Sequence, residues 1–64
     1  MKEYIGKIVG ITNGSEYIFG TLAEHPNEVY SVGHIGFKED NIAEVRKIEV
    51  EETVNLVRAI LILK

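Results

Sequence analysis

The chain has 64 residues, enough for one domain, and it contains no cysteine, so disulfide bonds and thiolate metal sites are excluded. Its formal net charge of −3 at pH 7 argues against a surface built mainly to bind nucleic-acid phosphates. No apolar signal segment follows Met1, and the longest apolar run, residues 59–63, is far shorter than the roughly 20 residues that span a bilayer. We therefore expect a soluble, cytoplasmic protein.

The first predicted element is a strand over residues 4–12, YIGKIVGIT. Its β-branched side chains favour an extended backbone, and two glycines within five residues are unfavourable inside a helix. In a strand, glycines such as Gly6 and Gly10 mark a bend, a bulge or a close approach of another backbone. We therefore expect this strand to curve.

A hairpin is predicted to follow at Asn13-Gly14. This dipeptide is the preferred centre of a type I′ turn, in which both central residues have positive φ. Residues 16–22 then return as an antiparallel strand. The next segment, residues 23–28, is polar and contains Pro26, so we expect a loop there.

Two short strands are predicted next, over residues 29–32 and 34–37. Gly33 joins them and turns the chain, and Gly36 is expected to let the second strand curve. Residues 38–41 have the composition of a turn.

Two later segments are ambiguous between strand and helix. Residues 42–50 alternate imperfectly, and a helix capped by Asp40 is the alternative to the strand that we favour. Residues 53–64 form either a helix, with Glu51 and Glu52 near its positive end, or a strand. The β-branched residues and the apolar run at its end are typical of a strand buried on both faces.

Five or six short strands separated by turns predict an all-β fold, a small closed or partly closed β-barrel, with a helical C-terminal segment as the alternative. Closing the sheet protects strand edges, and association would help to stabilise so small a domain. The residues expected to shape the backbone are Gly6, Gly10, Asn13, Gly14, Gly33 and Gly36.

The glycines do not form a nucleotide-binding loop. A Walker A loop requires a Gly-Lys pair that follows another glycine by five positions and precedes Ser or Thr. Here Lys7 is followed by Ile8, and only five residues precede Gly6. We therefore expect no ATP or magnesium site within this chain.

The two histidines offer weak catalytic and metal-binding patterns. His25 and Glu28 have a metal-ligand spacing, but the zinc-protease version of this motif needs another histidine where Val29 stands, and Pro26 opposes a helix there. His34 could pair with Asp40 or Ser31 in an acid–base or nucleophilic arrangement. We predict no catalytic, cofactor-binding or metal-binding residue, and a small hydrolase that uses either histidine is the least favoured class.

The five aromatic residues allow two interpretations. Without a basic groove, core packing is favoured over the stacking of nucleic-acid bases. The aromatic residues expected in the core are Tyr4, Tyr17, Phe19, Tyr30 and Phe37.

The chain presents a series of strand-like segments, two of which contain paired glycines, with a single proline between them. In order they are YIGKIVGIT at residues 4–12, YIF at 17–19, Pro26, VYSVGHIGF at 29–37 and IAEVRKIE at 42–49. This arrangement resembles the HAS-barrel, the N-terminal β-barrel of the HerA family of hexameric DNA-translocating ATPases, which is related to the N-terminal barrel of ATP synthase subunits. The positions that match the family pattern are Ile5, Gly6, Ile8, Gly10, Phe19, Val32, Gly33, Gly36, Phe37, Val45 and Ile48.

The resemblance implies a scaffold and not an enzyme. Residues 1–64 would be one barrel domain at the start of a longer chain, and residues 57–63 would lead into the ATPase domain that binds ATP and magnesium. The barrel would support a homo-oligomeric ring and dock a partner nuclease of the NurA type, with DNA contacted only indirectly. The alternative is a free-standing Sm-like or SH3-like barrel that binds RNA or a peptide.

Overall fold

The structure, a computed structural model, describes residues 1–48 and 56–64. Within these ranges the chain forms one six-stranded sheet that curls into a half-barrel. The strands are β1 Ile8–Thr12, β2 Tyr17–His25, β3 Val29–Val32, β4 Ile35–Lys38, β5 Ile42–Lys47 and β6 Val57–Leu63. Short 3₁₀ turns occupy Lys2–Tyr4, Pro26–Glu28 and Glu39–Asn41. The prediction of an all-β, partly closed barrel is confirmed.

The strand order across the sheet is β4-β3-β2-β1-β6-β5. Neighbouring strands are antiparallel except for β1 and β6, which are parallel. The first and last strands of the chain therefore lie side by side in the interior of the sheet. The described residues contain no helix of the length and apolar character needed to cross a membrane.

One face of the curled sheet, here called the core face, encloses the hydrophobic core. Alternation along each strand sends every second side chain to this face. Val9, Leu22, Val32 and Leu61 are fully buried there. Among the described residues, the buried core is formed by Tyr4, Val9, Ile11, Leu22, Tyr30, Val32, Phe37, Ala59 and Leu61. The opposite side of the sheet is called the outer face.

The last strand confirms the strand interpretation of the C-terminal segment. In β6, Ala59 and Leu61 are buried on the core face, whereas Ile60 and Ile62 are partly buried on the outer face. The helical alternative for this segment is wrong within residues 56–64, and residues 53–55 lie outside the described residues. Apolar residues on both faces fit the position of β6, which is paired on both sides, with β1 and with β5.

Strand β5 likewise replaces the helix considered for residues 42–50. It spans Ile42–Lys47 and pairs with β6 in antiparallel register. Ile48 lies beyond the strand, although its N–H still donates to the carbonyl of Arg58 at 2.9 Å. Residues 49 and 50 lie outside the described residues.

The first strand begins later than the sequence predicts. Residues 2–4 form a 3₁₀ turn, and Gly6 has φ of +84°, a conformation that turns the chain and favours glycine. Its N–H donates to the carbonyl of Leu22 at 2.8 Å, and regular β1 pairing starts at Ile8. The prediction of a strand over residues 4–7 is therefore wrong.

The β1–β2 hairpin exists, but the predicted type I′ turn is wrong. The two strands are paired up to Thr12 and Tyr17, which leaves a four-residue loop. Only Gly14 has positive φ there, at +99°. The Asn13 Oδ1 accepts hydrogen bonds from the N–H groups of Ser15 and Glu16 at 3.0 and 3.3 Å. These side-chain hydrogen bonds stabilise the four-residue loop in place of a two-residue turn.

Strand β2 also runs past its predicted end. It continues through His25 because residues 22–25 pair with β3, so the predicted loop begins only at Pro26. Asn27 and Glu28 then have φ of 65° and 61°, and this turn reverses the chain into β3.

The β3–β4 hairpin confirms the predicted turn at Gly33. Val32 pairs with Ile35, so Gly33 and His34 are the two central residues. Gly33 has φ of +59° and His34 has negative φ, the pattern of a type II′ turn. A Cβ on Gly20 would lie 3.0 Å from the backbone nitrogen of Gly33, so Gly20 leaves room for this hairpin.

Candidate functional site

The histidine that contacts Ser31 is His25 and not His34. At the end of β2, the His25 Nε2 lies 2.7 Å from the Ser31 Oγ in an exposed pair. His34 lies in the β3–β4 turn and makes no hydrogen bond among the described residues. Nucleophilic catalysis would also need a group that orients the histidine, and no carboxylate of the described residues bonds to His25. The pair is a cross-strand surface contact.

An open depression of about 520 Å³ lies beside this pair. Glu24, Glu28, Glu39 and Asp40 line it together with Lys2 and Lys38, so its charges are mixed. Within the described ranges, no three histidine or carboxylate side chains are placed to hold a metal ion. The metal-like spacing of His25 and Glu28 therefore does not assemble into a ligand set there.

The outer face carries two exposed aromatic residues that the sequence interpretation places in the core. Tyr17 and Phe19 are 60% and 55% exposed, so that expectation is wrong for them. It is confirmed for Tyr4, Tyr30 and Phe37, which are buried. The rings of Tyr17 and Phe19 stack, with centroids 6.2 Å apart and planes inclined by 11°.

Strand register aligns these rings with the rest of the outer face in two rows. The first row runs across β2, β1, β6 and β5 as Phe19, Gly10, Ile60 and Arg46. The second row runs across the same strands as Tyr17, Thr12, Ile62 and Glu44. In both rows an aromatic residue lies on β2, a small residue on β1, an isoleucine on β6 and a charged residue on β5. We call Tyr17, Phe19, Ile60 and Ile62 the outer patch.

Gly10 lets the two sides of the outer patch meet. A Cβ at this position would lie 2.7 Å from the Ile60 Cδ1 and 2.8 Å from the Phe19 Cε1. Both side chains thus occupy the space above β1 that a larger residue would fill. Thr12 is buried in the second row, and its Oγ1 accepts the N–H of Gly14 at 3.0 Å. The patch is therefore continuous from β2 to β6.

The charged end of each row lies on β5. Arg46 donates to the Glu44 Oε2 at 3.0 Å, and both side chains are exposed. Such an exposed ion pair contributes little to stability. It gives the outer patch a polar border at the edge of the sheet.

The glycines that the sequence predicts to shape the backbone have different structural reasons. Gly6, Gly14 and Gly33 have positive φ, whereas Gly10 leaves room for the ends of the Ile60 and Phe19 side chains. At Gly36, a Cβ would meet only the carbonyl oxygen of Tyr30, at 3.9 Å.

These two strand glycines supply a matched test. We expect Gly10→Ala to lower the free energy of unfolding by about 1 kcal/mol, because the ends of the Ile60 and Phe19 side chains must shift away from the new methyl group. Gly36→Ala is expected to be neutral or to stabilise by about 0.5 kcal/mol, since the methyl group fits and the unfolded chain loses freedom. Urea unfolding followed by circular dichroism measures both. Equal effects at the two positions would contradict the packing role of Gly10.

Two features of β2 escape the sequence interpretation: the exposure of the aromatic pair on the outer face and the close packing of Gly20 on the core face. The pattern in β2 places Tyr17 and Phe19 on one face and Leu22 on the other. Thr21 and His25, which continue the aromatic face toward the end of β2, were the available signal that this face is the solvent-facing one.

Comparison with protein-family models, curated proteins and solved structures gives no significant match to this chain.

Proposed function

We propose that this chain is a non-catalytic β-barrel module that docks a partner protein through the outer patch. The larger assembly would be an ATP-driven DNA translocase like those of the HerA family, in which the barrel supports the ring. ATP and magnesium would bind in another domain, and the docked protein would be a nuclease of the NurA type. The observation that supports this proposal is the exposed, stacked pair of Tyr17 and Phe19 on the outer face.

The composition of the outer patch suits protein recognition. Aromatic residues and arginine are enriched at the energetic centres of protein interfaces. Here Tyr17 and Phe19 stack on a strand next to Ile60, and Arg46 borders them. Side chains already ordered in this way lose little conformational entropy when a partner covers them.

The neighbouring polar features favour a scaffold over an enzyme. The His25–Ser31 pair is exposed, and the depression beside it contains both acidic and basic side chains. Exposed groups of this kind have the solvation of ordinary surface residues, whereas catalytic groups depend on burial and a directed charge partner. Measurable ATP hydrolysis by these 64 residues would contradict the non-catalytic assignment.

The test measures binding of the purified chain to a purified NurA-type nuclease from the same genome by isothermal titration calorimetry. The double variant Tyr17→Ser/Phe19→Ser is expected to bind about 100-fold more weakly or worse, since two aromatic anchors are lost. Circular dichroism checks that the variant is folded.

Thr21→Ala is the matched control, because Thr21 is exposed on the same face of the same strand. It should bind the nuclease like the original chain. Unchanged affinity of the double variant, or no binding by the original chain, would overturn the proposal. Assembly of two copies of the chain through the patch, without nuclease, would show that the occupant is a second copy.

A second candidate function is the binding of single-stranded RNA by an Sm-like or SH3-like barrel. The observation that favours it is the stacked Tyr17–Phe19 pair, because exposed aromatic rings can stack on bases. Arg46 pairs in register with Ile60, and Arg58 lies two residues before Ile60 on the same face of β6. Salt-sensitive binding of a labelled uridylate oligonucleotide, lost in the same double variant, would favour this function over nuclease docking.

A further inference from the structure

Strand β5 forms one edge of the sheet. Among the described residues it pairs with β6 alone, through a regular antiparallel register over residues 44–47. An edge strand presents backbone N–H and C=O groups that another strand can pair with. The sequence at this edge is Glu44-Val45-Arg46, in which opposite charges flank a central valine.

We infer that β5 pairs antiparallel with β5 of a second copy of this chain, around a two-fold axis at Val45. This register places the two Val45 side chains opposite each other. It also places Glu44 of each copy opposite Arg46 of the other, so the two-fold axis generates two identical ion pairs. The two half-barrels then share one continuous sheet.

Charge complementarity selects the second copy as the occupant of this edge. A strand in this register must present a basic side chain opposite Glu44 and an acidic one opposite Arg46, and β5 does so when its direction is reversed. The opposite sheet edge, β4, spans Ile35–Lys38 and contains no acidic residue to face Arg46. Opposite charges directly across an antiparallel pair are stabilising, whereas like charges are destabilising.

Exposure at the edge agrees with this pairing. The side chains of Arg46 and Glu44 are 67% and 52% exposed, so both can turn toward a second strand. Val45 is 37% exposed, although it pairs in register with the fully buried Leu61. A second β5 would extend the core face beside Val45 and cover part of its side chain.

The inference is independent of the proposed function and does not involve the outer patch. A two-fold contact joins chains in pairs, so a ring would need a further contact between the pairs. Nuclease docking through Tyr17 and Phe19 is tested separately, and either result can hold without the other.

The experiment uses sedimentation equilibrium of the chain at low salt. The original chain should form dimers. Glu44→Arg and Arg46→Glu should each weaken dimerisation by about 30-fold, because both symmetry-related pairs change from attraction to repulsion. An equimolar mixture of the two variants should dimerise like the original chain, since each guanidinium then faces a carboxylate across the axis.

The mixture shows whether the loss of dimerisation comes from the contact between two chains or from the broken ion pair within each chain. Each single variant breaks the intrachain Glu44–Arg46 pair, and mixing cannot repair it. Glu24→Arg and Lys38→Glu are controls with the same net charges, −3 + 2 = −1 and −3 − 2 = −5. Each control variant should dimerise like the original chain, because Glu24 and Lys38 lie outside β5.

Three results would overturn the inference. They are a monomeric original chain at millimolar concentration, single variants that dimerise as well as the original chain, and a mixture that remains as weakly associated as its components. Circular dichroism of each variant confirms the fold, and both substituted side chains are exposed, so unfolding is not expected.

Discussion

Leu61→Ala is expected to lower the free energy of unfolding by about 3 kcal/mol. Leu61 is fully buried in β6, where it lies between Ile11 of β1 and Val45 of β5 in the register of the sheet. Removal of its isobutyl group leaves a cavity at the junction of the first and last strands. A single core in a chain this small supplies only about 3–5 kcal/mol, so a large fraction of the variant should be unfolded at 25 °C.

Urea unfolding at 25 °C, followed by far-ultraviolet circular dichroism, measures this loss. Leu56→Ala is the matched control, because Leu56 undergoes the same truncation but is 58% exposed. Its effect should stay within about 0.5 kcal/mol. Equal losses at Leu61 and Leu56 would show that β6 does not pack in the core as described.

Gly33→Val is expected to lower the free energy of unfolding by about 2–3 kcal/mol. Gly33 has φ of +59° at the first central position of the β3–β4 turn, and a β-branched residue is strongly disfavoured there. The neighbouring His34→Ala should change stability by less than about 0.5 kcal/mol, because His34 is exposed and makes no hydrogen bond among the described residues.

Thermal unfolding compares the two variants directly. At about 4–8 °C per kcal/mol for a domain of this size, Gly33→Val should lower Tm by about 10 °C or more. His34→Ala should leave Tm within a few degrees of the original value. Similar losses in both variants would mean that the histidine contributes to the fold and that the turn conformation is not the limiting factor.

Much of the fold follows from local patterns in the sequence. β-Branched residues separated by Gly33 predict the β3–β4 hairpin, and the apolar run at the end of the chain predicts β6. The all-β class follows because these segments have strand character and turn residues separate them. Such features depend on each residue and its near neighbours, so the sequence alone reveals them.

The errors arise where a side chain or a distant strand outweighs the local preference. At Asn13, the side-chain oxygen accepts two backbone N–H groups and forms a four-residue loop instead of a two-residue turn. Residues 23–25 look like a loop but become strand because β3 pairs with them. Neither the competing hydrogen bonds nor the pairing partner is visible in a local pattern.

The candidate site depended still more on tertiary structure. The sequence by itself determined that Tyr17 and Phe19 share one face of a strand, since alternate side chains point the same way. Only the tertiary structure decided that this face is the outer one, because the opposite face of β2 packs Leu22 into the core. Parallel pairing of β1 with β6 then brought Ile60 to the Phe19 ring across Gly10. These residues are far apart along the chain, so only the arrangement of strands makes them one surface.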